Sequence, residues 1–212
     1  MDGVELSLWR LGDDTDIALA AARALLSPDE AARAAQFHFD PDRDRFTRAR
    51  GLLRQALAEA TAGDAAGLVF SYGPAGKPAL SGGPAFNLSH SGDRAALAIA
   101  PSGAVGVDVE LLQQRPSLLR NLPGLCARCF TDHERGALDA APDQLARFLQ
   151  FWTAKEALMK LTGEGLGLDP KSIALELDSA GNATGYVEPA ERATGFGLFD
   201  VPGLTGAVTW GV

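Results

Sequence analysis

Phe151-Trp152-Thr153-Ala154-Lys155-Glu156-Ala157-Leu158-Met159-Lys160 reads as one stretch of a long helix, and it has a counterpart 105 residues earlier in the chain. Phe46, Ala49, Arg50 and Leu53 fall on Phe151, Ala154, Lys155 and Leu158 at that offset. Leu68, at the start of an apolar run, falls on Ile173, and Ala75-Gly76 falls on Ala180-Gly181. Helix, strand and turn keep one register, which is the mark of an internal duplication. Around the two segments the apolar period predicts helices over about 42–62 and 143–161. Ser27-Pro28-Asp29-Glu30 predicts a helix start, and Thr131-Asp132-His133-Glu134 has the spacing of a capping box. Strand-like runs are Val4–Trp9, Leu68–Tyr72, Ala95–Ala100, Val105–Val109, Ile173–Leu177 and Gly206–Gly211. Strands and helices without regular alternation make an α+β fold, read here as two like halves over 1–104 and 105–212 that meet near Pro101–Val105. A seam between two halves is a natural ligand site.

The 212 residues are 46% hydrophobic with a formal net charge of −8, which excludes a disordered chain and disfavours a nucleic-acid binder. No apolar run approaches the ~18 residues of a membrane span, and Met1-Asp2-Gly3-Val4-Glu5 lacks the basic and apolar regions of a signal peptide. A cytoplasmic protein is the expectation. Cys126 and Cys129 read as two reduced thiols on a short helix, because a zinc site needs two more ligands and His38, His90 and His133 are not paired at metal spacing. Between Asp42 and Arg54, Arg43, Arg45, Arg48, Arg50 and Arg54 outnumber Asp42 and Asp44. Such a segment suits a small anionic ligand, or simply a solvated helix face.

Three segments carry chemistry. In Val105-Gly106-Val107-Asp108-Val109-Glu110, strand alternation puts Asp108 and Glu110 on one face and the valines on the other. Two carboxylates so close call for a cation or a proton between them, and oxygen ligands beside phosphate suit Mg²⁺. The plain alternative is a solvent-facing strand end. On the second helix Trp152, Glu156 and Lys160 share a stripe, with Lys155 about 100° away by the helical repeat. Glu156 with Lys160 can equally be an ordinary helix ion pair. In Phe86-Asn87-Leu88-Ser89-His90-Ser91-Gly92-Asp93, the run Ser89-His90-Ser91-Gly92 reads as a turn rich in phosphate donors. It contains no nucleophile elbow, Gly76-Lys77-Pro78 is not a Walker loop, and Gly163–Gly167 ends a helix where a dinucleotide fingerprint would begin one.

Taken together, Gly76-Lys77-Pro78, Phe86–Ser91, Gly106–Glu110 and Trp152–Ala157 with Lys160 resemble the 4′-phosphopantetheinyl transferases of the surfactin-synthetase-activating type, in order and spacing over roughly 27–167. The resemblance implies two α+β halves related by a pseudo-twofold. It also implies transfer of 4′-phosphopantetheine from coenzyme A to a serine of an acyl or peptidyl carrier protein, with release of adenosine 3′,5′-bisphosphate. Asp108, Glu110 and Glu156 would hold Mg²⁺ or Mn²⁺, Lys160 would contact the diphosphate, and Glu156 would take the serine proton. Arg33, Arg45, Lys77, Ser89, His90 and Lys155 would hold the phosphates of coenzyme A. Where many relatives carry a lysine, this chain has Glu30, which weakens the implied 3′-phosphate clamp. Glu134 matches a family acid, and a capping role explains it equally.

The carrier protein is expected on 111–125, where Leu118, Leu119 and Leu122 are apolar for a linking segment and Arg115 and Arg120 supply charge. The resemblance further implies service in secondary-metabolite biosynthesis by a monomer, without nucleic-acid or membrane partners. Two other readings compete: a non-catalytic module binding coenzyme A or a nucleotide, and a metal-dependent phosphohydrolase, which would call for more His and Asp ligands.

Overall fold

The computed structural model describes residues 3–113, 116–188 and 192–211. The first half runs β1 (Glu5–Arg10), α1 (Leu19–Leu25), α2 (Pro28–Ala35), α3 (Asp40–Thr61), β2 (Phe70–Tyr72), β3 (Pro78–Leu80), β4 (Ala85–Ser91) and β5 (Arg94–Ala100). The second runs β6 (Ala104–Leu111), α4 (Pro116–Cys129), α5 (Asp132–Asp139), α6 (Gln144–Thr162), β7 (Ala174–Leu177), β8 (Ala183–Glu188), β9 (Gly195–Val201) and β10 (Leu204–Gly211). Each half builds an antiparallel three-stranded sheet in which the first strand lies beside the last and the penultimate strand closes the other side: β1-β5-β4 and β6-β10-β9. Each half adds a two-stranded ribbon, β2-β3 or β7-β8. The fold is α+β, and its order of elements is duplicated.

Local chemistry accounts for the helix ends. Pro28 opens α2 behind Ser27, whose backbone N–H donates to Glu30 Oε2 (3.1 Å). Thr131 and Glu134 close the capping box of α5 reciprocally, at 2.8 and 3.3 Å. Asp143 caps α6 by accepting from the Ala146 N–H (3.0 Å), and Gly163 ends that helix in the left-handed region at φ 74°, where glycine carries no Cβ penalty.

Burial follows strand and helix period. Val105, Val107 and Val109 turn one face of β6 into a core with Ala96, Ala98, Ala100, Leu204 and Val208, so small strand-forming residues weld the two sheets together. Phe130, Phe148 and Phe151 stack edge-on in the second half, at ring separations of 5.4 and 5.8 Å. Cys126 and Cys129 are free, buried thiols in the same core.

Two sequence expectations are corrected. The polar run 89–92 is not a turn: Ala85–Ser91 is strand β4, and only Gly92 and Asp93 turn into β5. The segment 111–125 is not a linker, since 116–129 is helical, and Leu122 is buried in the core, unavailable for docking. The other docking residues named for that segment, Arg115 and the side chains of Leu118 and Leu119, lie outside the described residues, whereas Arg120 is exposed. Among the described residues, no helix is long and apolar enough to cross a membrane.

Candidate active site

Strand β6 turns its second face, Gly106, Asp108 and Glu110, away from the valine core and toward α6. Gly106 sets how closely the two elements approach: a Cβ there would stand 2.0 Å from the Ala157 carbonyl oxygen and 2.5 Å from the Leu161 nitrogen. Only glycine lets the helix rest directly on the strand. The contacted residues, Ala157 and Leu161, directly follow Glu156 and Lys160, so the carboxylates of β6 face the polar stripe of α6.

The second wall is β4. Its alternation sends Phe86 and Leu88 toward Leu53, Leu57 and Leu97, while Asn87, Ser89 and Ser91 face β6 across the seam. Asn87 Oδ1 accepts the Val107 N–H (2.9 Å), and Ser91 Oγ accepts the Leu111 N–H (3.2 Å) and donates to Glu110 Oε2 (2.5 Å). Ser89 Oγ donates to Asp108 Oδ1 (2.7 Å). Lys160 Nζ donates to the same Oδ1 (2.6 Å) and to Ser89 Oγ (2.9 Å), closing a triangle of hydroxyl, ammonium and carboxylate.

The remaining Asp108 oxygen, Oδ2, is buried and has no hydrogen-bond partner among the described residues. Glu156 is half-buried nearby, and its carboxyl is held above the ordinary range by burial first and by the charge of Asp108 second, against the pull of Lys160. Glu110 adds to the same rise. Among the described residues no three His, Cys, Asp or Glu side chains are already drawn together as a metal cluster. The donor set nevertheless fits a hard cation: three carboxylates, one with an unsatisfied buried oxygen, are the ligands Mg²⁺ takes.

On the far face of β4, Leu88 and His90 line a recess of about 410 Å³ in the first half, together with Arg33, Phe46, Arg50 and Tyr72. Arg33 lies over the Phe46 ring at 5.6 Å. The His90 ring reaches solvent at the mouth but is crowded by protein. That crowding leads in pushing its pKa down, with the Lys160 and Arg45 cations next, so the imidazole is neutral at pH 7. Asp108 and Glu110 oppose the shift. Arg45 pairs with Asp42 on the helix surface.

Two residues of the implied phosphate set are placed differently. Lys155 is fully buried, and its three N–H groups go to Glu134 Oε2 (2.7 Å), Cys129 O (3.0 Å) and Pro170 O (3.0 Å). Its side chain points into the second half's core, because it lies off the Trp152–Lys160 stripe. Glu134 therefore both caps α5 and neutralises Lys155. Lys77 Nζ is spent on the carbonyls of Lys160 (2.6 Å), Val105 (2.9 Å) and Leu161 (3.3 Å), and burial pushes its pKa down to about 8.

The arginine-rich segment is likewise not one patch. Arg43 and Arg45 pair with Asp40 and Asp42, Arg48 reaches the Leu11 carbonyl, and Arg50 and Arg54 turn inward onto Glu30 at 2.6 Å each. Sequence reading missed this buried acid. Its signal was present: Glu30 precedes Arg50 as Glu134 precedes Lys155, each behind a Ser or Thr cap, so the buried acid–base couple is duplicated with the fold.

Residues 104–199 match the family model of the 4′-phosphopantetheinyl transferase superfamily, and residues 13–102 match that of the 4′-phosphopantetheinyl transferase N-terminal region. The 4′-phosphopantetheinyl transferase HetI of Nostoc sp. is 38% identical over 180 residues, spanning 81% of this chain and 74% of HetI. A phosphopantetheinyl transferase of Thraustochytrium sp. is 33% identical over 77% of this chain and 61% of its own length. Among solved structures, holo-[acyl-carrier-protein] synthase of Neisseria meningitidis shares 19% identity at a TM-score of 0.41, over 50% of this chain and 94% of that one. With both halves matched and most of a relative aligned at 38% identity, the chain belongs to the 4′-phosphopantetheinyl transferase superfamily.

Proposed function

We propose that the enzyme transfers 4′-phosphopantetheine from coenzyme A to a serine hydroxyl of an acyl or peptidyl carrier protein, releasing adenosine 3′,5′-bisphosphate. The observation that carries this reading is that Asp108 and Glu110 on β6 face the α6 stripe of Glu156 and Lys160, with Lys160 already on Asp108, beside an arginine-bearing recess. The half formed by 1–104 supplies contacts to coenzyme A through Arg33, Arg45 and His90, and the half formed by 105–212 supplies the reacting groups. Both lie in one chain, which supports a monomer.

Asp108, Glu110 and Glu156 are the residues that would hold Mg²⁺ or Mn²⁺, whose charge would neutralise the diphosphate as its P–O bond breaks. Lys160 donates to the diphosphate oxygens from the position where it now meets Asp108. The serine oxygen bonds to the phosphorus that carries pantetheine, and the bond from that phosphorus to the nucleotide's diphosphate oxygen breaks. Glu156 takes the serine proton, a task favoured by a carboxyl held above its ordinary range. Neutral His90 orients the nucleotide as a hydrogen-bonding group at the recess mouth.

Incubation of a panel of apo-carrier proteins with enzyme, coenzyme A and Mg²⁺ tests the reading. The expected result is a carrier heavier by one phosphopantetheine, with adenosine 3′,5′-bisphosphate formed in equal amount. Coenzyme A bound without turnover would identify a binding module instead, and phosphopantetheine released without any carrier would identify a phosphohydrolase.

A further inference from the structure

Lys77 lies between Gly76 and Pro78, which both line the recess, yet its ammonium turns away from that space. Nζ crosses the seam and donates to the carbonyls of Lys160 (2.6 Å), Val105 (2.9 Å) and Leu161 (3.3 Å). Two of these acceptors sit in the last turn of α6 and the third is the second residue of β6. Carbonyls in the last turn of a helix have no partner within the helix and carry its negative end, so an ammonium there satisfies both needs. Three donors meet three acceptors, none of them a side chain. Lys160 is consequently held at both ends: Lys77 grips its carbonyl, while its own ammonium rests on Asp108 and Ser89.

We infer that Lys77 is a positioning residue, which pins the last turn of α6 to the start of β6 and thereby sets Lys160 against Asp108. The inference rests on the transferase activity proposed above. It gives Lys77 a different task from a phosphate contact, and it ties a wall of the recess to the reacting groups through a single side chain. A recess emptied or filled against Gly76 and Pro78 is then mechanically continuous with the helix that carries Glu156 and Lys160.

The test compares wild type with Lys77→Met, which keeps length and removes the charge, and Lys77→Arg, which keeps the donors. Three readouts are taken: kcat and KM for coenzyme A with an apo-carrier protein, the dissociation constant of coenzyme A by calorimetry, and amide hydrogen exchange in the last turn of α6. The expected result for Lys77→Met is a kcat lower by about 10-fold or more, as misplacement of a reacting group produces, with KM and the dissociation constant within about threefold of wild type. Exchange in the last turn speeds up, and Lys77→Arg recovers part of kcat. A dissociation constant weakened about tenfold at unchanged kcat would make Lys77 a phosphate contact and overturn the inference. Unchanged kcat and exchange in a folded Lys77→Met would overturn it too. Should Lys77→Met not fold, Lys77→Gln against Lys77→Arg yields the same split between kcat and KM. Failure of wild type to modify any carrier would sink the activity instead, and coenzyme A affinity with exchange would still decide the role of Lys77.

Discussion

Asp108 is where the account is decided at the scale of single residues. One of its oxygens is shared by Ser89 and Lys160, and the other is buried without a hydrogen-bond partner among the described residues, an expensive state for a carboxylate unless a cation completes it. On α6, burial first and the Asp108 charge second push the Glu156 carboxyl above its ordinary range. Glu156→Gln removes both a carboxylate ligand and the proton acceptor while keeping size and shape. It should lower kcat by about 10²-fold or more, with a melting temperature close to wild type, as read by carrier-modification kinetics and calorimetry. A variant with kcat near wild type would show that neither role belongs to Glu156. Much of this was legible in the sequence, because a period of two fixes which residues of β6 share a face and the helical period of about 3.6 fixes the stripe of α6. The positions of Lys77 and Lys155 were not legible. Both ammonium groups bond mainly to backbone carbonyls remote in sequence, and carbonyls leave no residue-type signal.

At the scale of elements, the strands and helices that misread in the sequence did so for one physical reason. Ser89 and Ser91 look like turn residues because Ser favours turns and polar side chains are seldom buried on a strand, as these and Asn87 are. Their partners are the carboxylates and N–H groups of a strand in the other half, which no local pattern reveals. The arginines of α3 misled in the opposite sense, since the two most buried serve Glu30 inside the first half. Burial alone would raise the Glu30 carboxyl, but Arg50 and Arg54 outweigh it and the net shift is downward. A lowered carboxyl contributes stability that is present above its ordinary pKa of 4.5 and is lost as pH falls below it. Glu30→Gln should therefore cost about 3–5 kcal/mol at pH 7, because two guanidinium groups stay buried without their counter-charge. Its unfolding midpoint in urea should also fall less than that of wild type between pH 5 and pH 3. Equal losses in both proteins over that range would show that Glu30 does not carry the acid sensitivity.

The whole molecule is a duplication, and its first half has other residues at the places of Asp108, Glu110, Glu156 and Lys160. Aligning the two hairpins β4-β5 and β9-β10 at their turns puts Leu97 on Ala207 and Ala95 on Thr205, so Ser7 occupies the place of Asp108 and Trp9 that of Glu110. At the helix offset, Gly51 stands for Glu156 and Gln55 for Lys160. The space beside Gly51 is taken by α1, since a Cβ there would stand 2.8 Å from Ala22. Among the described residues, the counterparts of the proposed reacting groups are thus absent from the first half, which places the one proposed centre where β4 meets β6. Calorimetric titration with coenzyme A in the presence of Mg²⁺ should give one equivalent per chain. Two equivalents would contradict the loss of the second copy.

Central to all of this is the claim that carboxylates from β6 and α6 act together on a divalent ion during transfer. The rate of carrier modification as a function of Mg²⁺ concentration, for wild type and for Asp108→Asn, tests it most directly. Wild type should lose activity in a chelator and regain it as Mg²⁺ is restored, while Asp108→Asn should need far more Mg²⁺ for half-maximal rate and stay about 10²-fold slower at saturation. Modification that persists in the chelator, or a variant that follows the wild-type curve, would contradict the account.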